Sequence, residues 1–187
     1  GSLTGTTTFT PTDDSIYDAT SNETATVSID SVSGGDALEN GNQSVTITIT
    51  DNESAPTVTL SRSAAAIDEN SSSTVTITAT LSNATYQDVT VSIGASGGTE
   101  GTDYATISDI TISAGSTTGT ASLDPTDDSV YEDDEAVTVT IDGVSGGSAS
   151  ESGSQSVTIT ITENESAPTV TLSVSATSIA ENAGTSL

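Results

Sequence analysis

The chain of 187 residues contains no cysteine, histidine, methionine or tryptophan. Disulfides, haem ligation and zinc sites built from thiolate or imidazole are therefore excluded, and so is acid–base catalysis by imidazole. No apolar run approaches the ~20 residues of a membrane-spanning helix, so we expect no direct membrane insertion. Carboxylate, amide, hydroxyl and backbone groups remain to carry any chemistry.

Cations are almost absent from the chain. Arg62 is the only Lys or Arg, against 27 Asp and Glu residues, and the formal net charge is −26. Such a surface cannot neutralise phosphates, so we expect no nucleic-acid partner, and anionic lipid would repel it as well. Because uncompensated carboxylates repel one another, the protein needs counter-charge that has to come from outside.

Aromatic residues are also scarce, with one Phe and four Tyr. A pair of carboxylates about 5–10 Å apart could serve as the acid and base of a glycoside hydrolase. Sugar grooves are normally lined by aromatic rings, and this chain has few to offer. The sequence therefore predicts that the protein is not an enzyme.

A sequence repeat organises the chain. One complete unit spans residues 54–165, residues 1–53 match only the C-terminal part of a unit, and residues 166–187 match only the N-terminal part of the next. We interpret the chain as a slice of a longer tandem array, or as a chain whose partial units are completed by neighbours. Three segments recur, the first two at an offset of 112 residues and the third at 114: Ser54–Ser61 at Ser166–Ser173, Gln43–Thr50 at Gln155–Thr162, and Pro11–Ser15 at Pro125–Ser129.

Apolar residues alternate with Thr and Ser in short runs, which is typical of strands with one buried face. Glycine-rich turn signals such as Ser96–Gly98 and Ser145–Gly147 separate these runs. About seven strands per repeat predict an all-β fold of tandem immunoglobulin-like antiparallel β-sandwiches. The alternating positions are Val75, Ile77, Ala79 and Leu81; Val89, Val91 and Ile93; Ile110 and Ile112; Val137, Val139 and Ile141; and Val157, Ile159 and Ile161.

The carboxylates of the complete unit fall into groups at strand ends and in loops. A sandwich collects its loops at two ends, so several groups can meet at one of them. Oxygen-only clusters on flexible loops favour Ca²⁺, whereas Mg²⁺ demands strict octahedral geometry. The alternative interpretation is a solvated, solubilising face. The groups are Asp68–Glu69, Asp103, Asp127–Asp128, Glu132–Glu135 and Glu163–Glu165.

The order of these motifs resembles the Calx-beta domain family. The matching features are Gly101–Tyr104, the strand Thr118–Leu123, the run Asp127–Glu135, and Val157–Thr162 followed by Glu163–Glu165. The resemblance implies a Calx-beta type sandwich that binds Ca²⁺ at one tip, near the exit to the next domain. It implies these ligands: Glu69, Asp103, Asp127, Asp128, Glu132, Glu163 and Glu165 in the complete unit; Asp13, Asp14, Asp18, Asp51 and Glu53 in the preceding copy; and Glu181 in the following copy.

The leading hypothesis for function is a calcium-binding extender module of a large extracellular or cell-surface protein, a bacterial adhesin or a fibre-forming protein. Its partners are neighbouring repeats of the same protein, with self-association into fibres or surface layers. Two alternatives stay open. One is a calcium-sensing regulatory module of a larger protein, and the other is a subunit of a polymer completed by strand exchange between chains.

Overall fold

The computed structural model describes residues 2–18 and 23–181. Residues 1, 19–22 and 182–187 of the two partial units lie outside the described residues. No helix that is long and apolar enough to span a membrane occurs in the described ranges. The strands are β1 (Ile16–Tyr17), β2 (Glu23–Ser28), β3 (Ser44–Ile49), β4 (Thr57–Arg62), β5 (Ala66–Asp68), β6 (Val75–Leu81), β7 (Ala84–Thr85), β8 (Val89–Ser96), β9 (Ile110–Ile112), β10 (Thr118–Leu123), β11 (Glu135–Ser145), β12 (Ser150–Glu151) and β13 (Ser156–Thr162).

Nine of these strands form a two-layer β-sandwich. One sheet has the order β10-β6-β4-β12 and the other has the order β5-β13-β11-β8-β9. The inward residues of both sheets form a single core that extends from Val58 to Ile161. The all-β prediction is confirmed, since the described residues contain strands and no helix.

The core follows directly from the alternation of residue types along the strands. In β6, Val75, Ile77, Ala79 and Leu81 are buried and the intervening threonines are half-buried. A strand with this period turns every second side chain to the same face, so the apolar set packs against the opposite sheet. Each fully buried Val or Ile stabilises the fold by about 1.5–3 kcal/mol.

The sandwich differs from the prediction in strand number and in direction. It has nine strands where about seven were expected, because β5 and β12 are segments of only two or three residues with too little alternation to be recognised. Two of its pairs are parallel, β5 with β13 and β12 with β4, where antiparallel pairing was expected. Both are short edge pairs whose direction depends on long-range packing.

The flanking partial units contribute little to the core. Strands β2 and β3 form a separate antiparallel hairpin, and β1 pairs in parallel with β7 of the complete unit. Val45 on this hairpin is 65 % exposed, and Val170 and Leu172 in the following segment are almost fully exposed. Residues 166–181 contain no strand.

Candidate metal centre

The parallel pairing of β5 with β13 brings two glutamates together at one end of the sandwich. Ile67 is opposite Ile161, and Asp68 is opposite Thr162. The next residue on each strand is a glutamate, and the Glu69 amide donates to the Thr162 carbonyl at 3.0 Å. One carboxylate oxygen from each of Glu69, Glu163 and Glu165 lies within 4.8 Å of the others.

The central acidic loop, residues 124–134, is held against these strand ends by hydrogen bonds from its own backbone. The Asp128 amide donates to Glu69 Oε1 at 3.2 Å, and the Glu132 amide donates to Glu163 Oε2. The Asn164 side chain reaches Asp127 Oδ1 at 3.4 Å. The loop therefore lies across the ends of β5 and β13 and adds its own carboxylates to the same region.

Asp103 joins the region from a different loop. It is one of few buried charged residues, with 9 % of its surface exposed, and its Oδ2 accepts the Thr99 amide. The Thr126 amide donates to the Asp103 carbonyl at 2.9 Å, which ties this loop to the central acidic loop. After burial, the Asp103 charge is the largest influence that raises the pKa of both Glu132 and Glu135.

The pKa values of the clustered glutamates are shifted from their ordinary value. Backbone amides of Glu165 and Glu132 lower the pKa of Glu163 to about 2. The hydrogen bond to Glu163, together with burial and the surrounding negative charges, raises the pKa of Glu165 to about 7. Burial, reinforced by neighbouring carboxylates, also raises the pKa of Glu69. The raised pKa values of Glu165 and Glu69 are those expected of carboxylates that lack a positive partner.

A hard cation fits the residues at this tip. An ion bound at about 2.3–2.6 Å from each oxygen can join oxygens up to about 5 Å apart, which the three glutamates satisfy. Glu165 Oε2 is a buried oxygen with no hydrogen-bond partner in the part of the chain that the structure describes. Such an atom is costly unless something outside the protein chain compensates it. The donor set is entirely oxygen, as Ca²⁺ and Mg²⁺ prefer.

The preceding copy repeats part of this arrangement at its own tip. Asp51, the counterpart of Glu163, accepts the Asp18 amide at 3.0 Å, and Glu53 is the counterpart of Glu165. The pKa of Asp51 is lowered by the Asp18 amide, and the pKa of Glu53 is raised by its hydrogen bond with Asp51. A cavity of about 160 Å³ lies between these acids, and its lining includes Asp13, Asp14, Asp18, Glu23, Asp51, Glu53 and Tyr86.

The acids of the two tips are gathered to different extents. Among residues 2–18 and 23–181, only the group Glu69, Glu163 and Glu165 brings three carboxylate oxygens within 4.8 Å. The complete unit is therefore the stronger candidate centre.

The structure thus assembles the seven carboxylates predicted for the complete unit at one tip, and the five of the preceding copy around one cavity. Whether they hold an ion stays a prediction. Glu181 lies exposed at the last described position, in a segment without strands. Glu135 belongs to the predicted acidic group Glu132–Glu135 but was not among the predicted ligands. Its counterpart Glu23 lines the preceding cavity, and the recurrence of Glu at both positions was a usable signal.

The fold and the tip define a class of protein: an acidic β-sandwich module with a carboxylate cluster where its loops converge. The family model of the LapA domain matches residues 54–163, which covers the complete unit almost to its end. The chain belongs to the LapA domain family.

Comparison with solved structures adds a distant likeness. The apo form of the Calx CBD1 domain is 16 % identical, with a TM-score of 0.47, over 58 % of this chain and 98 % of that one. No curated protein matches the sequence. The Calx-beta family remains a resemblance of motifs, and membership is established for the LapA domain.

Proposed function

We propose that the chain is a stretch of calcium-binding structural repeats from a large cell-surface adhesin, in which Ca²⁺ at the tips stiffens a tandem array. The observation that carries the proposal is the trio of Glu69, Glu163 and Glu165, which bring one carboxylate oxygen each within 4.8 Å of the others. One residue of the trio, Glu165, also has a buried oxygen, Oε2, without a hydrogen-bond partner in the described residues. A single divalent ion placed there compensates that oxygen and the repulsion at once.

Calcium is favoured over magnesium by how the ligands are held. Asp127, Asp128 and Glu132 are on a loop without regular secondary structure, and Asp103 is on another. Ca²⁺ accepts six to eight oxygens in variable geometry, whereas Mg²⁺ requires near-ideal octahedral positions and retains its waters. A cluster assembled from several loops meets the first requirement more readily than the second.

Location at the cell surface is supported by the family, since LapA is an adhesion-related domain. The 112-residue repeat supports an extender role, because near-identical units in series add length. Extracellular calcium modules bind at about 0.1–1 mM, so an array of this kind would be loaded outside the cell. The partners are then neighbouring repeats of the same protein.

The energetic role of the ion follows from linkage. Calcium that binds only the folded chain stabilises it by about 2.7 kcal/mol at a hundredfold excess over Kd. Without the ion, a net charge of −26 opposes the compact state. The folded tip is therefore expected to depend on calcium more than a neutral sandwich would.

Isothermal titration of the full chain with CaCl₂, after removal of metal by chelation, tests the proposal. We expect saturable binding with Kd near ~0.1–1 mM, and weaker or absent binding of MgCl₂ under the same conditions. The variant Glu165→Gln should lose affinity while Asp133→Asn, an exposed acid of the central acidic loop, should not. Absence of calcium binding contradicts the proposal, and a micromolar Kd favours a calcium sensor instead.

Strand exchange between chains is a second candidate, and the exposed apolar side chains favour it. Val45 on the hairpin and Val170 and Leu172 in the following segment have no partner sheet in the described residues. Light scattering across a concentration series separates the two candidates. A constant monomer mass excludes a strand-exchanged polymer, and growth of the mass with concentration supports it.

A further inference from the structure

The structure shows how one unit contacts the next. Ile16 and Tyr17, at the tip of the preceding copy, pair in parallel with Ala84 and Thr85 of the complete unit. The Tyr86 amide lies 3.4 Å from the Tyr17 carbonyl oxygen. We call Asn83–Tyr86 the base loop. It follows the end of β6, whereas the candidate metal centre lies beyond the beginning of β6, so tip and base are at opposite ends of the sandwich.

A side-chain hydrogen bond reinforces this strand pair. The Tyr86 hydroxyl donates to Asp14 Oδ2 at 2.9 Å, and Asp14 is one of the acids that line the preceding tip. The carboxylate of Asp14 raises the pKa of the Tyr86 phenol, as expected for a donor to an anion. The base of one unit thereby touches the acidic tip of the unit before it.

Hydrogen bonds to the rest of the complete unit hold the base loop in place. Thr85 is 1 % exposed, and its carbonyl accepts the Gly115 amide at 2.7 Å. The Asn83 side chain donates to the Ser54 carbonyl at 2.8 Å, which fixes the loop to the residue where the complete unit begins. These hydrogen bonds hold the base loop against its own unit in the conformation that pairs with Ile16–Tyr17.

The complete unit has, at its own tip, a segment that corresponds to Ile16–Tyr17 of the preceding copy. Ser129–Tyr131 is the counterpart of Ser15–Tyr17 and forms no strand in the structure; because we expect it to pair as β1 does, we call it the docking strand. The Asp128 side chain accepts the Val130 amide at 2.6 Å, just as Asp14 accepts the Ile16 amide at 2.8 Å. Val130 is 59 % and Tyr131 42 % exposed, whereas the paired Ile16 and Tyr17 are half-buried.

We propose that the docking strand is the binding surface for the base loop of another copy of this unit, with the tyrosine of that loop donating to Asp128. The occupant is argued from continuity with the contact already formed between Ile16–Tyr17 and Ala84–Thr85. Tip and base are different surfaces, so the contact is heterologous and propagates as an open row of units. This inference rests on the proposed tandem array but makes no use of the ion.

Hydrogen exchange on an extended chain, residues 1–165 followed by residues 54–187, tests the docking strand. Its junction is native, because Ser166–Ser173 repeats Ser54–Ser61. Val130→Ile in the first unit distinguishes its docking strand by mass and matches Ile16 of the preceding copy. The original chain supplies both references: an undocked segment at residues 129–131, where the Val130 amide already donates to Asp128, and a paired strand at residues 16–17.

We expect the first docking strand of the extended chain to exchange at least about tenfold more slowly than in the original chain, a tenfold change corresponding to about 1.4 kcal/mol. Tyr86→Phe in the appended unit should recover part of that exchange, because it removes the hydroxyl and keeps the ring. Unchanged exchange at residues 129–131 overturns the inference. Rapid exchange at residues 16–17 overturns it too, since the pairing of Ile16–Tyr17 with Ala84–Thr85 would then not form in solution.

A calcium titration of the same extended chain distinguishes a failure of the docking inference from a failure of the proposed function. Protection of the docking strand without calcium binding contradicts the proposed function and supports the docking inference. Calcium binding without protection contradicts the docking inference and supports the proposed function.

Discussion

Glu163 and Glu165, two residues apart beyond the end of β13, have pKa values that are shifted in opposite directions. The Glu165 amide donates to Glu163 Oε1 at 2.7 Å, and the pKa values are about 2 for Glu163 and about 7 for Glu165. The pair therefore carries a single proton at mildly acidic pH. A bound cation would replace that proton, which makes the metal-free protein sensitive to pH.

The chelated protein should become more stable as the pH falls from about 8 to about 5. Glu165 has a raised pKa in the folded state, so the folded chain takes up a proton that the unfolded chain does not, and unfolding is disfavoured. Below the usual range of Glu the slope reverses, because Glu163 has a lowered pKa and resists protonation when folded. Thermal unfolding in excess chelator at a series of pH values measures this. A melting temperature that rises with pH between 5 and 8 contradicts it, and Glu165→Gln should flatten the profile.

Neutralising Glu69 should change stability in opposite directions with and without calcium. Glu69→Gln keeps an oxygen for the Asp128 amide and removes one negative charge from a buried, repelling site. The metal-free melting temperature should stay the same or rise, while calcium affinity falls about tenfold, or about 1.4 kcal/mol. Calorimetry and thermal unfolding of Asp133→Asn, an exposed neighbour, provide the matched control. Equal effects of both variants would show that only net charge matters.

The core of the complete unit should carry the stability of the whole chain. Ile77 is fully buried, so Ile77→Ala should lower the free energy of unfolding by about 2–5 kcal/mol. Leu172 is 96 % exposed, and Leu172→Ala should change it by less than about 0.5 kcal/mol. Urea denaturation in calcium compares the two variants. A large loss in Leu172→Ala would reveal a second core in the flanking segments.

Alanine substitutions at two glycines near Asp103 distinguish the cost of backbone strain from the cost of steric overlap. Gly97 and Gly101 both have positive φ, at 83° and 85°, so alanine is strained at either position. A Cβ at Gly97 would overlap the Ala136 carbonyl oxygen, whereas a Cβ at Gly101 meets nothing within 4 Å. We expect Gly101→Ala to cost about 1–2 kcal/mol and Gly97→Ala clearly more, by chemical denaturation. Equal losses would contradict the close approach at Gly97.

Much of the fold could be predicted because the signal is local. The alternation at Val75, Ile77, Ala79 and Leu81 places β6 and its buried face without any reference to other strands. The parallel edge pair of β5 could not be predicted, because three residues carry no period. The register shift between Ile141 and Gly143 in β11 is likewise set by the partner strand β8.

The Calx-beta resemblance named Glu69 and Glu163 as ligands, and the structure brings their carboxylates together where β5 and β13 end. That they bind a metal stays a prediction. Glu135 was named in the acidic group Glu132–Glu135 but not as a ligand, and the structure places it at the first residue of β11. The contact of Tyr86 with Asp14 joins residues that are 72 positions apart in two different copies, so no local sequence pattern predicts it.

Thermal unfolding of the full chain, with Ca²⁺ near 1 mM and then in excess chelator, tests the central claim most directly. Calcium bound at the tip should raise the melting temperature, with stabilisation of about 2.7 kcal/mol wherever free calcium reaches a hundredfold excess over Kd. Superimposable unfolding curves in calcium and in chelator would contradict the claim.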